Sequence, residues 1–428
     1  MSFDRRTFLR RSAFGAATLA AGAKLEAAVP PGAPAPLPAF DEQRPEDFWR
    51  AVRNQFPLTA ALTYFNTGGL GPASTPVLAK AAETTRRLQE RAEHGHGLLA
   101  GAREIVARFL GAVPDEVAFV RNATEGNAIV AAGLSLTPGD EVIFETHAHP
   151  GGSFAWLQQQ KLRGIVVKVF EPDPHSAAGN LARIEALITP RTRVVQVSHV
   201  TAPTGIVLPV VEIARLCREG HIWFHIDGAQ SAGMFPIALR ELGGDSFATS
   251  GHKWLGAPHE TGVLWIKRER MDEVAPTLVG AYSGDLEMLP GEFKLAANAL
   301  RYEYGTRNAA AIVALAEAVV FQERIGRERI AARGRALAAR VREGLAKRPG
   351  VEILTPLAPE LCAAMITFRT ATVPQDKLFS RLWSERQIRC RPVTEQKLNA
   401  LRVSTHLFNT PAECAALIEG VAGILKSA

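Results

Sequence analysis

Short apolar runs alternate with amphipathic segments between about residues 73 and 300, and this alternation limits the possible folds more than any other feature of the chain. A short apolar run bounded by turn residues is typical of a buried strand, whereas the stretch from Pro209 to Arg218 is typical of a covering helix. Strands and helices in alternation predict a mainly parallel sheet with helices on both faces. The runs that we interpret as strands are Val117–Val120, Val142–Glu145, Val166–Phe170, Val194–Ser198, Ile222–Asp227 and Gly262–Ile266.

The region after residue 306 has a different character. A long alanine- and arginine-rich helical stretch comes first, from Ala309 to about Lys347. Strands between helices follow, a pattern that is typical of a small α+β domain. We therefore predict a large domain over residues 70–305 and a small domain formed by residues 41–69 and 306–428. The strand-like runs of the small domain are Val351–Leu354, Met365–Arg369 and Leu401–Thr405.

Asp227 and Lys253 form the most informative pair of reactive side chains. Asp227 ends an apolar run, and the carboxyl end of a strand is where α/β sheets bind ligands. Lys253 precedes the apolar pair Trp254-Leu255, and desolvation lowers the pKa of a lysine and makes it a useful amine. Pyridoxal phosphate needs an amine that holds its aldehyde as an imine and an acid that keeps its ring nitrogen protonated. The pair therefore predicts pyridoxal 5'-phosphate as the cofactor.

The run Asp227-Gly228-Ala229-Gln230, followed by Ser250-Gly251-His252-Lys253-Trp254, is one of several segments that carry a resemblance. The matching segments extend from Tyr64–Pro72 to Leu401–Ser404 and so span most of the chain. Together they resemble the class V aminotransferase family of fold-type I pyridoxal phosphate enzymes, and the isopenicillin N epimerase-like branch is the most similar. The resemblance implies an α/β fold with a mainly parallel, seven-stranded sheet covered by helices and a smaller α+β C-terminal domain.

The resemblance also implies the cofactor contacts. The strand Val117–Val120 runs into a helix, and the unpaired amides at the start of a helix are anion donors. Ala123 and Thr124 are therefore expected to hold the cofactor phosphate. The further contacts that the family pattern implies are Ser250 and His252 at the phosphate and Gln230 at the phenolic oxygen of the ring.

One histidine is expected to cover a face of the cofactor ring, a role that suits a flat aromatic side chain. His147 follows the strand Glu141–Glu145 and resembles the ring-stacking histidine of the family, which makes it a candidate catalytic residue. His149, two residues later, competes for this assignment. Ala202 stands where relatives often carry an asparagine or a serine near the ring oxygen, so that contact lacks its usual side chain here.

The substrate is expected to carry a carboxylate. Arg402 matches the arginine that grips the α-carboxylate of amino-acid substrates, because its planar fork binds a carboxylate through two parallel hydrogen bonds. Asn66 is matched to the same substrate site. Arg389 and Arg391 either extend the site toward a second acidic group or are surface charges, and surface charge is the more common case.

The expected partners are an amino-acid or peptide substrate and a second copy of the chain. Thr306 resembles a family residue that reaches the cofactor phosphate of the neighbouring subunit, which implies a homodimer with shared sites. Residues 1–28 carry five basic and two acidic side chains, so their removal would lower the formal charge from +6 to +3, and no nucleic acid is implied. We predict no metal site, because the four cysteines lack Cys-x-x-Cys spacing.

The residues do not select a single reaction. The amine of Lys253 is the natural base for the α-proton. Return of that proton to the opposite face gives epimerisation, its return to the cofactor gives transamination, and expulsion of a β-substituent gives elimination. Cysteine desulfurases need a cysteine on a mobile loop before the carboxylate-binding arginine, and here the segment from Arg389 to Arg402 is short and holds only Cys390.

We therefore expect a transaminase or epimerase that acts at the α-carbon of an amino acid or of a peptide-borne amino-acid group. The alternatives are a β-elimination lyase or cysteine desulfurase and, by resemblance to exported relatives, a periplasmic enzyme that tailors peptide siderophores. A non-enzymatic binding module is a further alternative, since a protein can keep its fold after it has lost its catalytic activity. The joint retention of Lys253, Asp227 and Arg402 speaks against it.

Residues 1–28 have the features of a twin-arginine export signal. Arg5-Arg6 precedes Phe8-Leu9 and the weakly apolar stretch Ala13–Ala21, which is too short to span a bilayer. A proline-rich spacer over residues 29–40 follows and is expected to be extended. We predict export by the twin-arginine machinery, a periplasmic location and no membrane anchor.

Overall fold

The computed structural model describes residues 36–287 and 291–427. The predicted signal over residues 1–28 and the first part of the spacer lie outside the described residues. The helices of the described part are α1 (Pro45–Arg53), α2 (Thr75–Arg91), α3 (Leu99–Leu110), α4 (Ala123–Gly133), α5 (Pro150–Arg163), α6 (Ala177–Glu185), α7 (Val210–Glu219), α8 (Leu239–Leu242), α9 (Ala309–Ile325), α10 (Arg327–Ala346), α11 (Gln375–Arg386) and α12 (Pro411–Lys426).

The strands form one large sheet and several smaller ones. Those of the large sheet are β2 (Val117–Val120), β3 (Glu141–Glu145), β4 (Val166–Phe170), β5 (Thr192–Ser198), β6 (Trp223–Asp227), β7 (Ser246–Ser250) and β8 (Gly262–Ile266). The remaining strands are β1 (Thr63–Tyr64), β9 (Gly284–Glu287), β10 (Glu292–Leu295), β11 (Val351–Ile353), β12 (Met365–Thr370), β13 (Ile388–Arg389), β14 (Arg391–Val393) and β15 (Ala400–Ser404).

The large sheet has the strand order β2-β8-β7-β6-β5-β3-β4. Strand β8 pairs antiparallel with both of its neighbours, and all other pairs are parallel. The prediction of a mainly parallel, seven-stranded sheet is therefore confirmed. The seventh strand, β7, was not recognised from the sequence, because Ser246, Thr249 and Ser250 interrupt its apolar pattern.

Helices cover both faces of this sheet, and each face has its own core. In β8, Val263 and Trp265 pack into one cluster of buried residues, whereas Leu264 and Ile266 pack into another. Successive residues of a strand point to opposite faces, so a strand buried on both sides has the near-continuous apolar run seen in the sequence. The sheet therefore has helices on both faces, as the alternation of apolar runs and amphipathic segments in the sequence predicts.

Four of the parallel strands end in polar residues at one edge of the large sheet. Glu145 ends β3, Ser198 ends β5, Asp227 ends β6 and Ser250 ends β7, and all four are buried. Apolar strand interiors hold the sheet together, and the polar residues come where the chain leaves it. This edge is where a parallel α/β sheet binds ligands.

A four-stranded antiparallel sheet with the order β11-β12-β15-β14 forms from the C-terminal region. The long helical stretch predicted after Ala309 is two helices, because Gly326 breaks it at a φ of +98° between α9 and α10. A glycine adopts this conformation without steric cost. The C-terminal strands lie close to the predicted positions, while the division into a large and a small domain stays a prediction.

No helix within residues 36–287 and 291–427 is long and apolar enough to cross a bilayer. The described end of the predicted spacer, residues 36–40, contains no helix or strand, and Phe40 packs edge-on against Phe48 of α1.

A buried ion pair joins α3 to the segment before α9. Both terminal nitrogens of Arg103 donate to Glu303, at 2.6 and 3.1 Å, and the backbone N–H of Phe119 donates to the same carboxylate at 2.6 Å. Both charged side chains are buried. Removal of one partner would leave the other charge unpaired in the interior.

We predict that Glu303→Ala lowers the free energy of unfolding by about 3 kcal/mol, because Arg103 loses its counter-charge inside the protein. Glu352→Ala is the matched control, since its pair with Arg369 lies on the surface and such pairs contribute about 1 kcal/mol or less. Urea unfolding followed by tryptophan fluorescence measures both variants. Equal losses in the two variants would contradict the prediction.

Candidate active site

Polar and charged side chains line a cavity of about 270 Å³ at the carboxyl edge of the large sheet. Arg391 of β14 and Arg402 of β15 bring the antiparallel sheet into its wall. The cavity therefore combines residues from both halves of the chain. The residues that the sequence singled out and that line it are Ala123, Thr124, Asp227, Gln230, Ser250, His252, Lys253 and Arg402.

Lys253 lies in a series of turns after β7, and its side chain is partly buried in the cavity wall. Burial lowers the pKa of this amine from 10.5 to about 8, and the positive charges of Arg402 and Arg391 act in the same direction. The negative charge of Asp227 opposes the shift. About a tenth of the amine is therefore neutral at pH 7, and hence nucleophilic and basic, far more than for a lysine with an unshifted pKa.

Gly71 packs directly against the loop that carries the lysine. Its N–H donates to the carbonyl oxygen of His252 at 2.8 Å, and a Cβ at this position would overlap with the carbonyl oxygen of Lys253. No larger residue fits without moving one of the two backbones. The glycine-rich segment of residues 68–71, although distant in sequence, thus holds the lysine loop in place.

Asp227 is buried at the end of β6, and two N–H groups hold its carboxylate. The backbone N–H of Ala229 donates to Oδ1 at 3.0 Å, and the side-chain amide of Asn127 donates to Oδ2 at 3.0 Å. A Cβ at Gly152 of α5 would lie 2.9 Å from Oδ2. The carboxylate is therefore fixed in place with its free edge toward the cavity that it lines.

A chain of hydrogen bonds continues behind Asn127. Because Nδ2 of Asn127 donates to the carboxylate, its Oδ1 accepts, and Nε2 of His225 donates to it at 2.8 Å. Burial lowers the pKa of His225 to about 3, so the ring is neutral and its Nδ1 accepts a hydrogen bond from Ser246 at 2.7 Å. Sequence reasoning missed His225 and Asn127. Strand alternation could have found His225, since residues two apart in β6 share a face.

The first turn of α4 faces the cavity and has the character of an anion site. Asn122 caps the helix by accepting from the N–H of Glu125, and the N–H of Ala123 donates to Oγ of Ser250 at 3.0 Å. Nδ1 of His252 is buried and has no partner among the described residues. Burial lowers the pKa of His252 to about 4, so its ring is neutral and keeps an N–H for a ligand.

The structure places His149, and not His147, on the cavity wall. His149 caps α5, its Nδ1 accepts from the N–H of Gly151 at 3.0 Å, and burial lowers its pKa. His147 is buried away from the wall, and its Nδ1 shares a hydrogen bond of 3.0 Å with Thr204. The position expected for His147 is therefore corrected: the turn before Pro150 directs His149 inward instead.

Gln230 lines the cavity but already has two protein partners. Its Nε2 donates to the carbonyl oxygen of Gly68 at 2.9 Å, and its Oε1 accepts from Nε1 of Trp254 at 2.8 Å. The second hydrogen of Nε2 is the donor that it can still offer to a ligand.

Arg402 is buried in the wall and makes hydrogen bonds only to neutral acceptors. Its Nη1 donates to the carbonyl oxygen of Ala202 at 2.7 Å and its Nη2 to Oδ1 of Asn66 at 3.3 Å, while Nε has no partner among the described residues. Burial and the charge of Arg391 lower the pKa of Arg402 to about 9. Asn66 does not itself line the cavity but holds the arginine that does.

Thr306 does not reach this cavity. It is exposed, and the neighbouring Gly305 and Arg307 line a separate cavity of about 250 Å³ together with His96 and Tyr282. The contact with a second subunit expected for Thr306 stays a prediction. Within residues 36–287 and 291–427, no group of three or more histidine, cysteine, aspartate or glutamate side chains is placed to hold a metal ion.

The family described as aminotransferase class-V matches residues 76–416, which include every cavity-lining group from Ala123 to Arg402. The chain belongs to this family. It is 31% identical over 393 residues to isopenicillin N epimerase of Amycolatopsis lactamdurans, covering 88% of this chain and 99% of that protein. It is 29% identical over 404 residues to a probable cysteine desulfurase of Pyrococcus abyssi, covering 90% and 98%.

A solved structure of a C-DES variant with glycine covalently linked to its PLP cofactor is similar to this class V chain. The TM-score is 0.78 at 28% sequence identity, covering 86% of this chain and 98% of the other. The fold-type I architecture and pyridoxal phosphate as the cofactor are thereby confirmed.

The cavity of this class V protein fits pyridoxal phosphate in its donor set. The buried Nδ1 of His252 and the first turn of α4 would hold the phosphate, and Asp227 would accept from the ring nitrogen. Lys253 would hold the aldehyde. When bound, the cofactor supplies an electron sink for a negative charge at the substrate α-carbon.

We predict that His149→Ala weakens the binding of pyridoxal phosphate about fivefold, because an aromatic contact of roughly 1 kcal/mol is lost. His149→Phe should retain the affinity. Spectroscopic titration of the cofactor-free protein with pyridoxal phosphate measures both. His147→Ala is the control and should leave the affinity within about twofold; the reverse ranking of the two alanine variants would contradict the placement of His149.

Proposed function

We propose that the protein removes and returns the α-proton of an amino acid or of a peptide-borne amino-acid group, the step that transamination and epimerisation share. One observation carries the proposal: an amine with a pKa of about 8 and a buried arginine with unused donors lie in the wall of one cavity. The first can take a proton, and the second can hold the carboxylate next to it.

Lys253 has the role of proton acceptor in this proposal. A general base works best when its pKa lies close to the operating pH. Burial brings Lys253 to that range, whereas a solvated lysine would be protonated near neutral pH. The loop is held by the packing of Gly71, so the amine is presented from a fixed backbone.

Arg402 has the role of carboxylate holder, and Asn66 positions it. The planar fork of an arginine binds a carboxylate through two parallel hydrogen bonds. Nε of Arg402 is buried without a partner in the described part of the chain, so one edge of the guanidinium is available. The isopenicillin N epimerase relative, matched over 99% of its length, supports chemistry at the α-carbon.

Elimination of a β-substituent is the second candidate, favoured by the match to a probable cysteine desulfurase. None of the four cysteines lines the cavity, and burial raises the pKa of Cys390 to about 12, so its thiol stays protonated. A persulfide-forming cysteine is therefore not provided by these residues. A binding module without chemistry has no need of the shifted amine of Lys253.

We further propose that residues 1–28 direct export by the twin-arginine route and that the protein acts in the periplasm on a free or peptide-borne amino acid, such as a residue of a peptide siderophore. The adjacent arginines Arg5-Arg6 and the weakly apolar stretch after them support this proposal. Sequencing of the N-terminus in a periplasmic fraction should find a start between Lys24 and Pro30. An intact Met1 confined to the cytosol would contradict it.

The proposed reaction is tested by deuterium exchange at the α-carbon over a panel of amino acids and short peptides in heavy water. Inverted product identifies epimerisation, a keto acid identifies transamination, and pyruvate with a released substituent identifies elimination. We expect exchange by the unaltered protein and its loss in Lys253→Ala, which lacks the base. Absence of exchange over the whole panel would contradict the proposal.

The lowered pKa of Lys253 predicts a pH dependence of cofactor loading. The neutral amine attacks the aldehyde, so the rate of covalent attachment should rise about tenfold per pH unit below about pH 8 and level off above it. Borohydride reduction and mass spectrometry measure the attachment, with Lys253→Ala as the control that never reacts. A rate that keeps rising through pH 10 would show an unshifted lysine.

A further inference from the structure

Two arginines face each other across the antiparallel sheet. Arg391 of β14 is the direct partner of Arg402 in the register of β15, and both line the cavity. Side chains of directly opposed residues lie on the same face of a sheet about 5 Å apart at Cβ, and like charges in such pairs are destabilising. The pair therefore needs negative charge nearby.

The described residues supply only part of that charge. One terminal nitrogen of Arg391, Nη2, is paired with the carboxylate of Glu395, while Nη1 is buried and has no partner among the described residues. Arg402 has only neutral acceptors, Ala202 and Asn66. The buried guanidinium of Arg402 and the partly buried guanidinium of Arg391 thus both have unused N–H donors in one cavity, and Glu395 is the one carboxylate that pairs with either of them among the described residues.

The cofactor phosphate does not satisfy these donors under the proposed function. Its cradle would be formed by the first turn of α4, by Ser250 at the end of β7 and by His252 in the turn that follows. Arg391 instead acts on the substrate side, where its charge lowers the pKa values of Lys253, His149 and Arg402. The substrate carboxylate assigned to Arg402 accounts for one anion and leaves Arg391 without one.

We infer that Arg391 binds a side-chain carboxylate of the substrate, so that the protein prefers amino acids with a second acidic group. The inference rests on the proposed function, because it takes Arg402 as the holder of the α-carboxylate. Glu395 holds the guanidinium of Arg391 by one edge and leaves the other edge to the ligand. Arg391 is therefore a specificity-determining residue and not the surface charge that the sequence favoured.

The test compares acids with their neutral isosteres. Dissociation constants of glutamate, glutamine, aspartate, asparagine and alanine are measured from the absorbance change of the cofactor-loaded protein. We expect each acid to bind roughly 30-fold more tightly than its amide, the effect of a charged hydrogen-bonded pair in a partly buried site. This selectivity is measured on the unaltered protein, so the result does not depend on whether a variant folds.

Variants then assign the effect to Arg391. Arg391→Gln should abolish the preference for the acids, so that glutamate and glutamine bind with equal affinity, because the charge that distinguishes a carboxylate from an amide is gone. Arg389→Gln is the matched control, since Arg389 lies two residues away in β13, is exposed and does not line the cavity. It should keep the preference.

The outcomes separate this inference from the proposed function. Equal binding of acids and amides by the unaltered protein, together with exchange of the α-proton of alanine, overturns the inference alone. Equal weakening of alanine and glutamate in Arg391→Gln also overturns it, because it shows a general structural role. If no amino acid alters the cofactor spectrum or exchanges its α-proton, both proposals fail.

Discussion

The hydrogen bond between Asn127 and Asp227 is the contact on which the geometry of the cavity depends. Asn127 lies one turn after Thr124 on α4, so this bond ties the first turn of the helix to the end of β6. The anion site at the helix start and the carboxylate at the strand end are thereby held at a fixed separation. His225 fixes the orientation of the Asn127 amide, so a neutral buried histidine controls the position of a carboxylate two residues away.

The cavity is also a place where positive charge is buried without enough negative charge. Lys253, Arg391 and Arg402 line it, whereas Asp227 is the one carboxylate that lines it among the described residues. Burial of a charge is costly unless it is paired. The low pKa values of Lys253 and Arg402 express that cost. Binding of anionic ligands should therefore stabilise the folded protein as well as supply the chemistry, since a ligand that binds only the folded state raises its stability.

The sequence predicted the large sheet well because strands buried on both faces have near-continuous apolar runs, and such runs need no tertiary information. It also predicted Asp227 and Lys253, since the requirements of the cofactor for an acid and an amine are specific. Strand β7 was not predicted, because its buried Ser246, Thr249 and Ser250 have hydrogen-bond partners only in the folded chain. Local composition cannot reveal a partner that comes from another strand.

The remaining errors concern the direction in which side chains point. His147 and His149 are two residues apart, and which of them faces the cavity depends on where α5 begins, at Pro150. Arginine is usually a surface residue, and only the pairing of β14 with β15 brings Arg391 opposite Arg402. In the C-terminal region, the break at Gly326 was hidden by the strong helical character of the residues around it. Each of these positions is decided by contacts between distant segments.

The protonation states in the cavity bear on the reaction itself. Epimerisation with two separate groups needs a second proton donor, but burial lowers the pKa values of both His149 and His252 and leaves them as neutral rings that are weak acids. Lys253, with a pKa of about 8, can exist in either form near neutral pH and can both take and return a proton. A single group of this kind moves the proton along one side of the substrate. Under the proposed function, the two histidines of the cavity wall therefore do not supply the second proton donor that two-base epimerisation requires.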